Sequence, residues 1–215
     1  MYSKFLTHIR HSEKVFNMKR LLLIIILMLS YQSWAKADDI KDFGIEGVSI
    51  GDSALDFMSF KKIKKNRREY NYNDDSYYVL FLDDLKEFDD LEIYLKKNDD
   101  EYKIYSIDAV IYFKNQLKKC LLKQKELSKV FDEVLLTNKN IYKDKLIEKN
   151  HSGDVTGISK NHIIYYFFKN SEDYISLECV NWSNDIENNN GWSDHLRASI
   201  TREVIDVWLR TKAYK

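Results

Sequence analysis

Of the 215 residues, 34 are basic and 34 acidic, two are cysteine and none is proline. Residues 1–37, read below as an export signal, hold six Lys/Arg and Glu13, which leaves 28 basic and 33 acidic residues in the other 178, a net charge of −5. That acidity excludes a nucleic-acid partner, which needs a basic surface to displace counterions from phosphate, and the remaining length suits one domain with a true core.

Met18-Lys19-Arg20, the apolar run Leu21 to Leu29 and Ala35-Lys36-Ala37 are a basic region, a short hydrophobic region and a small-residue cleavage site, in the order of a secretory signal. The apolar run is shorter than the roughly 20 residues a membrane-spanning helix needs. We therefore expect a signal peptide over 1–37, with Met18 as the true start, cleavage after Ala37, no membrane span afterwards, and a periplasmic or secreted domain over 38–215. Export permits a disulfide between Cys120 and Cys179. It would close a loop of about 60 residues and add roughly 4 kcal/mol.

After a polar lead comes Phe43 to Asp56, FGIEGVSIGDSALD, which holds three of the six glycines. Gly44, Gly47 and Gly51 allow tight backbone turns around a short extended piece, Ile45 to Ile50. Ser53 with Asp56 has the form of a capping box, and Asp52 adds negative charge at the start of a helix reaching Lys65. Leu55, Phe57, Met58 and Ile63 form its apolar face, and the basic run Lys61 to Arg68 reads as its solvated end. Tyr77 to Leu82 is dense in β-formers; Leu91 to Lys96 and Tyr102 to Phe113 read as a hairpin across Asn98-Asp99-Asp100. Tyr105, Ile107, Ala109, Ile111 and Phe113 alternate with more polar positions, the period of a half-buried strand.

From Asn115 to Leu136 the period becomes helical, with Leu117, Cys120, Leu121, Ser128, Phe131, Val134 and Leu135 on one stripe. Thr137 to Asn161 reads as an irregular connection holding one short strand. His162 to Phe168 and Tyr174 to Trp182 form another hairpin, Asn184 to Gly191 a loop, and Leu196 to Ile200 a last strand. Thr201 is placed to cap a closing helix containing Val204, Ile205, Trp208 and Leu209. The expected fold is α+β: an antiparallel sheet of about five to six strands with three helices packed on one face.

Candidate chemistry is sparse. Asp194-His195 is the only adjacent acid–histidine pair, and neighbours on a strand point to opposite faces. Glu148 and His151 have the spacing to share a helical face, yet the two-metal pattern needs that motif twice. The acidic pairs Asp74-Asp75, Asp83-Asp84, Asp89-Asp90 and Asp99-Asp100 lack the spaced loop and central glycine of a calcium site. No metal or cofactor is expected from these spacings. Tyr165 to Phe168, Trp182, Trp192 and Trp208 read as core or sheet face.

Ile50-Gly51-Asp52-Ser53-Ala54 resembles the nucleophile block of the GDSL esterases and lipases, which implies Ser53 as nucleophile. The family's Asp-x-x-His finds its nearest counterpart in Glu148-x-x-His151, its Gly-x-Asn-Asp block has none, and its parallel sheet needs crossovers where this chain reads as hairpins. A serine also needs an adjacent base. The capping role of Ser53 is therefore favoured, with a Ser53 hydrolase using His151 as the alternative. FGIEGVSIGDSALD, Lys118-Lys119-Cys120, Cys179-Val180-Asn181-Trp182 and Gly191-Trp192-Ser193-Asp194 together resemble a group of small secreted proteins from AT-rich marine bacteria. That likeness implies the domain boundaries and the cysteine pair and carries no activity. A looser likeness is to the small outer-membrane assembly lipoproteins, whose lipid-bearing cysteine has no counterpart here. The reading that follows is a non-enzymatic exported protein binding an envelope partner or a small ligand.

Overall fold

A computed structural model describes residues 39–214 apart from Glu69, Asn71 and Asp84. The export signal expected over 1–37 lies outside the described residues. No described helix is long and apolar enough to cross a membrane.

The chain opens with a single 3-10 turn, Ile40–Asp42, in which Asp39 and Asp42 cap each other's backbone. The capping box of this region is therefore here and not at Ser53. A two-stranded hairpin follows, β1 (Gly44–Ile45) and β2 (Val48–Ser49), turning through Glu46 and Gly47 at positive φ. Gly44 is required by close approach: a Cβ there would lie 2.5 Å from both the Val48 carbonyl and Ser49 Oγ. Gly51, at φ 87°, hands the chain to Ser53.

The helix expected from Ser53 to Lys65 is two pieces. Ser53 Oγ accepts from Leu55 N at 3.3 Å and starts only a 3-10 turn, Ala54–Asp56. Ser59 then starts α1 (Phe60–Asn66), its Oγ accepting from Lys62 N. A second good capping residue six positions on competes with continuation, because its oxygen satisfies a free N–H only where the helix begins. The break buries Met58 and Ile63 and leaves Leu55 and Phe57 exposed.

The main sheet is antiparallel and has nine strands: β3 (Arg67–Arg68), β4 (Tyr77–Leu82), β5 (Asp90–Lys96), β6 (Ile104–Tyr112), β7 (Ile141–Lys143), β8 (Ile147–Asn150), β9 (Lys160–Phe168), β10 (Tyr174–Asn181) and β11 (His195–Thr201). The helices α2 (Leu117–Leu135), α3 (Asn184–Asn190) and α4 (Glu203–Trp208) complete the fold, α4 continuing as a wider turn to Ala213. The spatial order is β3-β4-β5-β6-β11-β10-β9-β7, with β8 also on β9. A helix followed by a three-stranded meander thus occurs twice, and the two meanders join through their last strands, β6 and β11. The strand count exceeds the expected five to six because β3, β7 and β8 are two to four residues long, too short for a period to show. The expected loop at Asn184 to Gly191 is α3, started by Ser183 Oγ on Ile186 N and ended by left-handed Gly191.

Helices cover both faces of the sheet, not one. On the first face α2 lies across β9, β10 and β11 and is tied down by the Cys120–Cys179 disulfide. Gln124 is also buried in this contact, its Nε2 donating to the His162 and Leu177 carbonyls. On the second face α4 packs Ile205 and Trp208 against Tyr77, Val79 and Tyr94. Tyr105, expected on the same side as Ile107, joins this second cluster, because a register shift between Tyr94 and Leu95 inserts one residue into β6. Thr201 does not cap α4: its Oγ1 pairs with Ser106 Oγ inside the sheet, and Asp173 Oδ1 accepts from Glu203 N at 2.8 Å instead.

Candidate binding face

Four strands each carry one ionisable residue between two buried ones: Leu91-Glu92-Ile93, Ile107-Asp108-Ala109, Leu177-Glu178-Cys179 and Leu196-Arg197-Ala198. Alternation sends all four to the second face, and register aligns them. Glu178 opposes Arg197, Ser199 opposes Asp108, and Asp108 opposes Glu92. A polar seam therefore runs across the middle of the sheet. Tyrosines border it: Tyr70 OH donates to Glu92 Oε1 at 2.8 Å, Tyr112 OH to Asp90, and Tyr174 OH to Asp206 at 3.3 Å.

Burial works against every charge in the seam, and position decides the outcome. Glu178 is opposed by burial, yet the facing Arg197 guanidinium more than offsets this and holds its carboxyl below the usual range. Arg197 is raised well above its ordinary value, chiefly by Glu178. Asp108 has the same guanidinium and a Ser199 hydroxyl nearby, but burial still raises it. Burial and then the Asp108 charge raise Glu92. One cation therefore serves three carboxylates, and Arg197 Nε itself makes no hydrogen bond.

Beyond the seam lies an aromatic corner. Trp182 packs against His151 at 4.0 Å and against Trp192 at 4.6 Å between ring centres. The loop from His151 to Ser159 is wound around Asp154, whose carboxylate accepts from Thr156 N and Oγ1 and from Ser159 N and Oγ at 2.6 to 2.9 Å. Those bonds hold the Asp154 carboxyl far below the usual range. His195 Nδ1 lies 2.8 Å from the Ser193 carbonyl, and burial pushes its imidazole down to about 4. Burial also lowers His151, so both rings are neutral near pH 7.

The residues singled out in the sequence fall in separate places. Ser53 Oγ donates to the Glu101 carbonyl at 2.7 Å, and Ser53 bridges to Lys103 just before β6. His151 follows β8, Nδ1 accepting from Gly153 N. The strands β6 and β8 are four spacings apart in the sheet, roughly 19 Å, so Ser53 and His151 are not brought together. Glu148 turns to His162, 3.7 Å away, and not to His151. Asp194 Oδ1 accepts from Trp182 N at 2.7 Å while His195 lies on the second face. Members of the acidic pairs stabilise turns and edges: Asp74 accepts from Ser76 N and Trp208 Nε1, Asp89 from Tyr112 N, and Asp99 from Glu101 N and Lys103 N. Among the described residues no group of three or more His, Cys, Asp or Glu side chains is placed to hold a metal ion.

The seam and Asp154 were missed in the sequence. The signal was present, a charged residue flanked by apolar ones in four separate strands, but alternation alone assigns such positions to solvent. The fold so defined is an α+β protein whose sheet is covered unevenly on its two faces. Neither the protein families, nor the curated proteins, nor the solved structures compared with the chain contain a match to it.

Proposed function

We propose that the protein is a non-enzymatic exported protein, periplasmic or secreted, that binds an envelope partner or a small ligand through the second face of its sheet. The observation that carries this reading is the Glu178–Arg197 pair with Asp108 and Glu92 on the same face. Apolar residues of similar size would serve stability as well or better at such positions, and carboxylates clustered around one guanidinium are a candidate for a functional site. The disulfide supports an oxidising compartment, and membership of the AT-rich marine secreted group belongs to the same proposal. The hydrolase alternative has less support, since Ser53 Oγ is occupied by Glu101 and Leu55 and is remote from His151.

A photo-crosslinking residue placed in living cells at Tyr112, which borders the seam, or at Leu122, exposed on α2 across the sheet, tests the reading. Intact mass reports both protein and small-molecule adducts. Adducts from position 112 and not from 122 are expected; adducts only from 122, or none from either, overturn it.

A further inference from the structure

We infer that the segment from Leu55 to Arg68 is a docking surface for an anionic phospholipid bilayer. From Leu55 to Arg68 there are six cations against one acid, Asp56, in a chain whose residues 38–215 carry a net charge of −5. All six, Lys61, Lys62, Lys64, Lys65, Arg67 and Arg68, are exposed, and among the described residues none of the four lysines is ion-paired. A merely solvated helix end accounts for the charge but not for the apolar side chains beside it. Leu55, Phe57 and Phe60 are 43, 41 and 56% exposed. Leu55 and Phe57 belong to the turn before Ser59, and Phe60 opens α1, whose buried residue is Ile63.

Aromatic side chains lie beside the basic ones. Phe60 meets Tyr102 edge-on at 6.1 Å, and the Arg67 guanidinium lies 4.4 Å over Tyr78. Arg68 stacks on Phe81 at 4.6 Å. Between β3 and the start of β4 is a crevice of about 100 Å³ lined by Arg67, Arg68, Lys97, Asp75 and a group of tyrosines that includes Tyr70 and Tyr78. The nearby acids Asp75 and Glu101 are neutralised by Lys97 and Lys103. Exposed aromatic and aliphatic groups beside a cluster of Lys and Arg are what an interfacial contact needs: the apolar groups enter the headgroup layer and the cations meet its negative surface. The remainder of the acidic protein is repelled by that surface, which orients the molecule with α1 toward the lipid. The crevice touches the rim of the second face through Tyr70, whereas Leu55, Phe57, Phe60 and the four lysines lie outside the seam.

The test uses protein purified after export, with an intact mass matching 38–215, and sedimentation with vesicles of equal phosphatidylcholine and phosphatidylglycerol or of phosphatidylcholine alone. Binding to the anionic vesicles at low salt is expected, reduced at least about tenfold at about 0.5 M NaCl, where the Debye length is a few ångströms. The double substitution Lys64→Glu/Lys65→Glu, at exposed positions, should cut binding at least about tenfold with an unchanged thermal midpoint. Phe60→Ser should weaken binding while leaving its salt dependence intact. Equal binding to the two vesicle types, no binding to either, or wild-type binding by the lysine variant overturns the inference. So does a thermal shift with inorganic phosphate but no vesicle binding, which would assign the crevice to a free anion.

Discussion

Glu178 on β10 and Arg197 on β11 stand directly opposite one another in the sheet and form an ion pair, the carboxylate residue 5% exposed and the guanidinium side chain 34% exposed. The pair is held by geometry from both meanders, since Asp108 of β6 lies on the same face beside Arg197's strand. Its energetics are asymmetric: losing one partner strands the other, while losing both removes the problem.

Arg197→Met is therefore expected to cost about 3 kcal/mol, at the low end for a buried pair because the guanidinium is partly exposed. Glu178→Leu combined with Arg197→Met should recover most of that loss. Urea unfolding followed by tryptophan fluorescence measures both. A double variant as unstable as the single one would show that packing, not pairing, explains the cost.

His195 should make the protein acid-sensitive in a defined window. Its pKa is depressed from 6.5 to about 4 in the folded state. Above pH 6.5 both states are neutral and nothing is lost; as pH falls from 6.5 to about 4 the unfolded chain takes up the proton first, and stability drops by roughly 3 kcal/mol. In His195→Gln that part of the pH dependence should vanish. Unfolding free energies of the two proteins across the window decide it, and parallel curves would refute the assignment.

Removing the disulfide with Cys120→Ala/Cys179→Ala should cost roughly 4 kcal/mol in the loop-entropy picture. The denatured wild type should show no free thiol before reduction and two afterwards.

Ser53→Ala is expected to lower stability by about 1 kcal/mol as a lost cap, and the wild type should not react with a fluorophosphonate probe. Labelling that disappears in the variant would restore the hydrolase reading.

Much of the architecture was legible in the residues. Tyr77 to Leu82 is a strand over the expected bounds, the long helix over Asn115 to Leu136 differs by two residues at its start and one at its end, and Cys120 faces the sheet as its stripe required. These segments have long, clean periods, so burial and local preference agree. Where a local rule competed with a neighbour it was the neighbour that decided. Ser59 interrupted the helix that Ser53 was expected to start, and Asp173, thirty residues away, took the capping role assigned to Thr201. The polar seam was the least legible part. Glu92, Asp108, Glu178 and Arg197 look like four unrelated solvent positions until β6 pairs with β11.

By itself the sequence determined the α+β class, the two hairpin-built halves, the core stripe of the long helix and the cysteines that pin it. Each follows from a period or a composition confined to about twenty residues. Tertiary structure alone decided the strand order, the placing of α4 on the second face, the exposure of Leu55, Phe57 and Phe60, and the convergence of Glu178 with Arg197. Those depend on register and on which surface covers which. Such contacts join residues far apart in the chain, where no local pattern records the partner.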